Sequence, residues 1–449
     1  MKKVIILLSL FTIQLHSQCN FKSIAMGAYK VTALKQDNSL WTWGYYNFYP
    51  GVEFSPTQIG SDTDWLMIST GFSHTLGIKS NGTLWAWGNN YFGQLGIPYN
   101  PNNNLSLPIQ VGTDNDWKYI CAGNTHSGAI KINGTLWTWG RNVYGQLGNE
   151  TWTDNGLPTQ VGTDTDWDFV ETNVEMMAAT KKNHTIWTWG NNEFGGLGDG
   201  TTLHRNSPSQ VGNFSDWKIV KASRYYCLAI RNDSTLWAWG NNSFGQLGDG
   251  TNIDKHTPIQ IGNDTDWKDI LTGEHHSLAI KNDGTLWSWG GNDFGQLGIG
   301  NQIDQNIPVQ VGIESDWNKL GSGTYNSFAM KTDGICWFWG RNENGQLLDY
   351  TQPLTFATSP MQNNCVLALN SFYYSKLSIF PNPTSNLLNI NNPTNQIVNK
   401  IAISNANGQI VSENDFIKDK MDVSNLPNGL YIITISLENE NVHLKFQKK

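Results

Sequence analysis

The chain has 449 residues, too many for one ordinary core, so several domains or one repeat array are expected. Only 15% of residues are charged while 21 are Trp and 45 are Gly, a balance that suits an all-β protein with many turns and excludes a disordered one. The net charge of −8, with no basic runs, argues against nucleic acid as a partner, because phosphate binding needs clustered Lys and Arg.

Residues 1–17 read as a secretory signal peptide: Lys2 and Lys3 are the charged start, Val4 to Leu15 the apolar run, and Ser17 the small residue before cleavage. The run is short of the roughly 20 residues a spanning helix needs. Lipidation of Cys19 is disfavoured, because Gln18 stands where a small residue is required. No later apolar stretch is long enough to cross a membrane.

From residue 18 to 370 the chain follows one period. Trp-x-Trp-Gly occurs seven times, starting at Trp41, Trp85, Trp137, Trp187, Trp237, Trp287 and Trp337, at spacings of 44, 52, 50, 50, 50 and 50. Around each anchor the order is the same. In the sixth unit it runs Trp267 to Ile270, then alternating His276 to Lys281, a turn at Asn282–Thr285, Leu286 to Gly290, Gly295-Gln296-Leu297-Gly298, a variable loop, and Pro308 to Gly312. Asp-Gly between two alternating runs signals a hairpin. Trp287 and Trp289, two apart on a strand, project from one face. Four antiparallel strands per unit are expected, and one Trp-rich sheet must pack on the next, so all fourteen motif tryptophans are assigned to the core between units. The fold class is therefore all-β, a seven-bladed propeller.

The ends suggest how the ring closes. The last unit stops after Pro360-Met361-Gln362, while Phe21-Lys22-Ser23-Ile24 sits 20 residues before Trp41, as Trp267 sits 20 before Trp287. The N-terminal strand is thus expected to complete the last sheet and remove its open edge. The same phase brings Cys19 within about two residue positions of Cys365, near disulfide distance, and in an oxidising compartment a Cys19–Cys365 bridge is expected. Cys121, Cys227 and Cys336 fall in three different units and are read as free and buried.

Gly-x-x-His-Ser/Thr (Gly71 to Thr75, Gly123 to Ser127, Gly273 to Ser277), then Asn/Asp-Gly-Thr-Leu-Trp-x-Trp-Gly and Asn-x-x-Gly-Gln-Leu-Gly, resembles the regulator-of-chromosome-condensation repeat family over roughly residues 19–370. That resemblance implies a seven-bladed propeller whose loop-rich face grips another macromolecule. The founder's nucleotide exchange and chromatin docking are not expected here, since the chain is acidic and carries an export signal.

Three features could carry chemistry. His74, His126 and His276 share one repeat position, which Lys30, Met176, Tyr226 and Asn326 fill in the other units; hydrogen bonding is expected of them rather than a metal ring, which needs converging ligands. Asp-x-Asp before Trp (Asp62/Asp64, Asp114/Asp116, Asp164/Asp166, Asp264/Asp266) is expected to cap turns rather than hold a hard cation. The variable loops are the best binding candidates. Trp152 is the one tryptophan outside the repeat pattern and could anchor a partner, with Tyr99, His204, Arg205 and His256 as weaker choices. No catalytic signature, metal site or cofactor is expected.

After a linker at 371–375, residues 376–449 change in composition, with no Trp at all. Three blocks stand out. The first holds Pro381, Asn382 and Pro383, the second Asp422, Leu426, Gly429 and Tyr431, and the third Lys445 and Phe446. Alternating runs suggest a small β-sandwich. In this order the blocks resemble the type A sorting domain of the type IX secretion system, which implies handling by that machinery and release or attachment at the cell surface. The whole reads as a monomeric, exported, non-enzymatic scaffold that binds a protein. Glycan binding is the alternative, and a hydrolase with its site in the central tunnel stands third.

Overall fold

The computed structural model describes residues 21–27, 30–45, 52–98, 104–172, 174–343, 347, 356–362 and, in the tail, 378–380, 384–391, 398–405, 409–415, 420–437 and 441–449. The signal peptide, Tyr99, Cys19, Cys365 and Pro381–Pro383 lie outside them. The chain divides into two units, Met1–Leu367 and Ala368–Lys449.

The first unit contains seven four-stranded antiparallel sheets, each made of four consecutive strands. In blade six the strands are Trp267–Thr272, His276–Lys281, Leu286–Gly290 and Gln305–Gln310, running from the inside of the ring outward. The motif glycine ends the third strand for a steric reason. Gly290 has φ +100°, and a Cβ there would come within 2.5 Å of the His275 carbonyl oxygen. The outermost strand carries a proline in each blade, at 56, 108, 158, 208, 258, 308 and 360. Proline removes a donor from an edge that would otherwise template pairing with another chain.

The phase of closure differs from the sequence expectation. Phe21–Met26 pairs with Lys30–Lys35 inside blade one, with Phe21 opposite Lys35 and Met26 opposite Val31. Blade seven uses its own inner strand, Trp317–Ser322. A cyclic repeat can be cut at any point, and the short turn after Met26 favours the local hairpin over a partner some 300 residues away. Blades one and seven instead meet through side chains. Phe21, Met26, Val31 and Trp43 share a core with Phe328, Phe338 and Trp339, and Lys319 Nζ donates to the Lys22 carbonyl at 3.1 Å.

The motif tryptophans divide into two classes, which corrects their uniform assignment to the core between blades. The second of each pair, Trp43, Trp87, Trp139, Trp189, Trp239, Trp289 and Trp339, is wholly buried. Its indole reaches the blade before it: Trp289 Nε1 donates to the Gln246 carbonyl at 2.9 Å, and Trp339 Nε1 to that of Gln296 at 2.8 Å. Gly248 explains the last glycine of Gly-Gln-Leu-Gly, since a Cβ there would lie 2.8 Å from Trp289 Nε1. The first of each pair is half-buried, and in blades one to six it bonds within its own blade, as Trp287 Nε1 does to Thr285 Oγ1 at 2.9 Å; in blade seven Ile335 replaces the hydroxyl residue and Trp337 Nε1 has no such partner.

The second unit has a three-stranded sheet and a four-stranded sheet around Leu388, Ile390, Ile401, Ile403, Tyr431, Ile433 and Phe446. The second sequence block builds part of this core. Asp422 Oδ1 accepts from the Ser424 amide at 2.8 Å, Leu426 packs on the core, Gly429 opens a strand, and Tyr431 stacks on Phe446 while donating to the Pro427 carbonyl at 2.9 Å. Lys445 lies in the closing strand Asn441–Lys448.

Candidate interaction face

Strand order gives each blade two ends. The turn between its first two strands and the long loop between its last two emerge on one side of the ring, here termed the crown. The middle turn and the link to the next blade emerge on the other, the base.

On the base, the Asp-x-Asp pairs find a partner that the sequence reading missed. Lys281, at the end of the second strand, reaches Asp264 at 2.6 Å and Asp266 at 3.2 Å, with its ammonium 4.8 Å from the rings of both Trp267 and Trp287. Lys79, Lys131 and Lys181 repeat this clamp on their own Asp pairs. Arg231 substitutes in blade five, on Asp216. Burial pulls the Lys281 ammonium pKa down, but its hydrogen bonds to Asp264 and Asp266 outweigh that, so the net shift is upward. The Asp pairs are thus occupied by an internal cation. Lys281→Met keeps the buried stem and removes the charge. It is expected to cost about 1 kcal/mol in denaturant unfolding, given carboxylates that are half exposed. The loss should shrink when Asp264 and Asp266 are already Asn, whereas Lys281→Arg should be nearly neutral.

The three histidines at the shared repeat position staple neighbouring blades. His74 Nε2 is 2.8 Å from Ser127 Oγ, His126 Nε2 2.6 Å from Thr172 Oγ1, and His276 Nε2 2.9 Å from Ser327 Oγ. Each hydroxyl gives its single proton to a main-chain carbonyl, of Gln94, Met176 and Gln296 respectively, so each Nε2–H is the donor. All three rings are wholly buried, and burial lowers His126 and His276 to about 3 and His74 well below the ordinary value. Tyr226 plays the same part in blade five through its hydroxyl, which donates to the His276 carbonyl at 2.5 Å. In blade one Lys30 occupies the position, and burial brings its amine down to about 7.

The central tunnel encloses about 340 Å³. Two acids line it and both are paired: Glu171 with Lys221 at 2.8 Å, and Glu274 with Arg224 at 2.9 Å. Beside the second pair, on the crown, lies an arc of rings. Phe194 meets Tyr225 at 4.7 Å, Phe244 meets His275 at 4.7 Å, and Phe294 meets Tyr325 at 5.1 Å, each pair bridging consecutive blades. Guanidinium groups lie on this arc, Arg224 at 4.8 Å from Tyr225 and Arg341 at 5.0 Å from Phe294 and 5.6 Å from Tyr325. These residues fill the unnamed places of Gly-x-x-His and Asn-x-x-Gly. Their signal was the break from pattern at Arg224-Tyr225-Tyr226.

The loop residues singled out from sequence do not converge. Trp152 is 49% exposed on the crown loop of blade three. His204 accepts from the Asn192 amide at 3.0 Å, the place Asp154, Asp254 and Asp304 fill elsewhere, and meets Tyr144 edge-on at 5.2 Å. Arg205 is bound to Asp199 at 2.7 Å, so both are used in shaping their own loop. His256 is exposed on the outer strand of blade five and lies against Gly195 of blade four.

The regulator of chromosome condensation (RCC1) repeat matches residues 81–130, 133–174, 183–230, 233–280 and 283–330, more than half of the chain, and the secretion system C-terminal sorting domain matches residues 378–449. Among curated proteins, probable E3 ubiquitin-protein ligase HERC4 of Rattus norvegicus is 28% identical over 146 residues, 30% of this chain. The Homo sapiens counterpart is 29% identical over 154 residues, and the matched chain spans only 14% of either relative. Among solved structures, Prp20p of Saccharomyces cerevisiae, studied for its binding to Gsp1p and histones, superposes with a TM-score of 0.64 at 21% identity, covering 75% of this chain and 87% of its own. Human WBSCR16 gives 0.63 at 22%, covering 70% and 87%. At these identities the likeness is one of fold.

Proposed function

Because the chain belongs to the RCC1-repeat family and ends in a sorting domain that sends it to the cell surface or the medium, we propose that it is an exported binding scaffold whose crown face grips a protein. The observation that carries this reading is the arc of paired rings and guanidinium groups around the crown mouth of the tunnel. Half-buried aromatics and arginines are the residues that anchor protein interfaces. The reading is non-enzymatic, because the two acids in the tunnel are each bound to a cation and leave no free carboxylate pair among the described lining residues. The acidic chain, monomeric and delivered by type IX machinery, is not expected to bind nucleic acid. At the seam, where blade seven hands over to blade one, we place the Cys19–Cys365 bridge, which an intact-mass measurement before and after reduction tests.

Glycan binding is the second reading, favoured by the exposed Trp152 indole. A glycan array probed with wild type and Trp152→Ala separates the two. The protein reading predicts no glycan signal and capture of a partner that protease treatment of the partner fraction abolishes. A glycan signal lost in Trp152→Ala would replace it.

A further inference from the structure

In two blades an arginine directly after Trp-x-Trp-Gly lies on a ring of the preceding blade; three blades have Asn89, Asn191 and Asn241 at that position, and blade six has glycine. In blade seven the residue after Trp-x-Trp-Gly is Arg341. Its guanidinium lies over Phe294 of the preceding blade and Tyr325 of its own, and Nε donates to Glu343 at 3.0 Å. In blade three the same position is Arg141, stacked at 4.9 Å on Phe92 of the preceding blade. Blade six keeps every other part. Phe244 and His275 stand where Phe294 and Tyr325 stand, with centroids 4.7 Å apart and planes at 42°, against 5.1 Å and 52° in blade seven. Asp293, exposed, stands where Glu343 stands. The position of the arginine is Gly291.

Among the described residues no ammonium or guanidinium lies over Phe244 or His275. The glycine is not demanded by the backbone either: a Cβ there would find His275 Cβ at 3.4 Å and Phe244 Cβ at 3.5 Å, ordinary contact distances. Arg224 is neutralised by Glu274 at 2.9 Å and lies on Tyr225; the same Glu274 oxygen is 3.9 Å from His275 Nε2. We infer that blade six presents a receptor for an arginine side chain of the protein partner, the incoming guanidinium lying over Phe244 and His275 with its edge on Asp293. A planar guanidinium fits this better than an ammonium, because it stacks on rings and meets a carboxylate with two N–H groups at once. Burial lowers the His275 pKa, which favours the neutral ring that a guanidinium can stack on.

This inference rests on the crown-face reading, so its test must be able to fail alone. The probe is acetyl-Gly-Arg-Gly-amide, titrated by saturation-transfer NMR against the full mature chain, beside the citrulline peptide, which has the same shape without the charge. Binding of the arginine peptide should be at least tenfold tighter than that of citrulline. It should weaken several-fold in Asp293→Asn and disappear in Gly291→Arg, where the chain's own guanidinium fills the place, with the circular dichroism melt unchanged. Phe244→Leu serves the same purpose should Gly291→Arg fail to fold. Equal binding of the two peptides, or undiminished binding in a folded Gly291→Arg, would overturn the arginine receptor. Partner capture through the crown that persists in Gly291→Arg would also overturn it and leave the crown-face reading standing.

Discussion

Moving the protein from pH 7 to pH 4.5 should remove a large part of the propeller's stability while most carboxylates are still ionised. His74, His126 and His276 are buried as neutral Nε2–H donors with folded pKa values far below the ordinary 6.5 of an imidazole. A group whose folded pKa is depressed stabilises above its unfolded pKa, and that contribution is lost as the pH falls from 6.5 toward the folded value near 3. At pH 4.5 His126 and His276 should each cost about 2–3 kcal/mol, together on the order of 5 kcal/mol, which reaches the net stability of a marginal domain, and His74 acts in the same direction. Lys30 does not add to the slope in this window, because its amine is already taking up its proton near pH 7. The check is denaturant unfolding at both pH values for wild type and for His126→Asn with His276→Asn, since Asn326 fills this position naturally in blade seven. The double variant should lose about two-thirds of the pH dependence. An unchanged slope would mean that the imidazoles titrate normally in the folded ring.

Trp289→Ala should destabilise the propeller by about 3–5 kcal/mol, and Trp287→Ala by less than half as much, although the two side chains are two residues apart on one strand. Trp289 fills the space between blades five and six, rests on Gly248 and satisfies the Gln246 carbonyl. Its loss leaves a cavity between two blades and removes one of the two hydrogen bonds to the Gln246 carbonyl, which keeps the Ser277 hydroxyl. Trp287 is half-buried against Trp267 and Lys281, where water can replace much of the lost contact. Thermal and denaturant unfolding of the two variants checks the ratio. Equal losses would remove the distinction between the two indoles drawn from burial.

The strands were legible because their signals are local. Alternation from His276 to Lys281 and the Asn-Asp-Gly turn need no knowledge of the rest of the chain. The point of closure was not, since a repeat of fixed period carries no mark of where one sheet ends. The basis of the clamps was half visible: Asp264 and Lys281 are 17 residues apart, and only the antiparallel pairing of Trp267 with Lys281 brings them together. The crown arc was the least legible. Phe244 and His275 lie 31 positions apart in different blades, at places the repeat leaves open, so no window along the sequence joins them. The variable loops stand out more plainly in the sequence, yet His204 and Arg205 serve their own fold.

The central claim is that the crown, and not the base, meets a protein partner. A photo-crosslinking amino acid at residue 243, beside Phe244 on the crown, and another at residue 132, exposed on the base turn of blade three, provide the comparison. The labelled mature protein would be irradiated in the medium of the producing cells and resolved by mass. A protein adduct from position 243 and none from position 132 is the predicted result. Adducts from position 132 alone, or from neither position, would contradict the account.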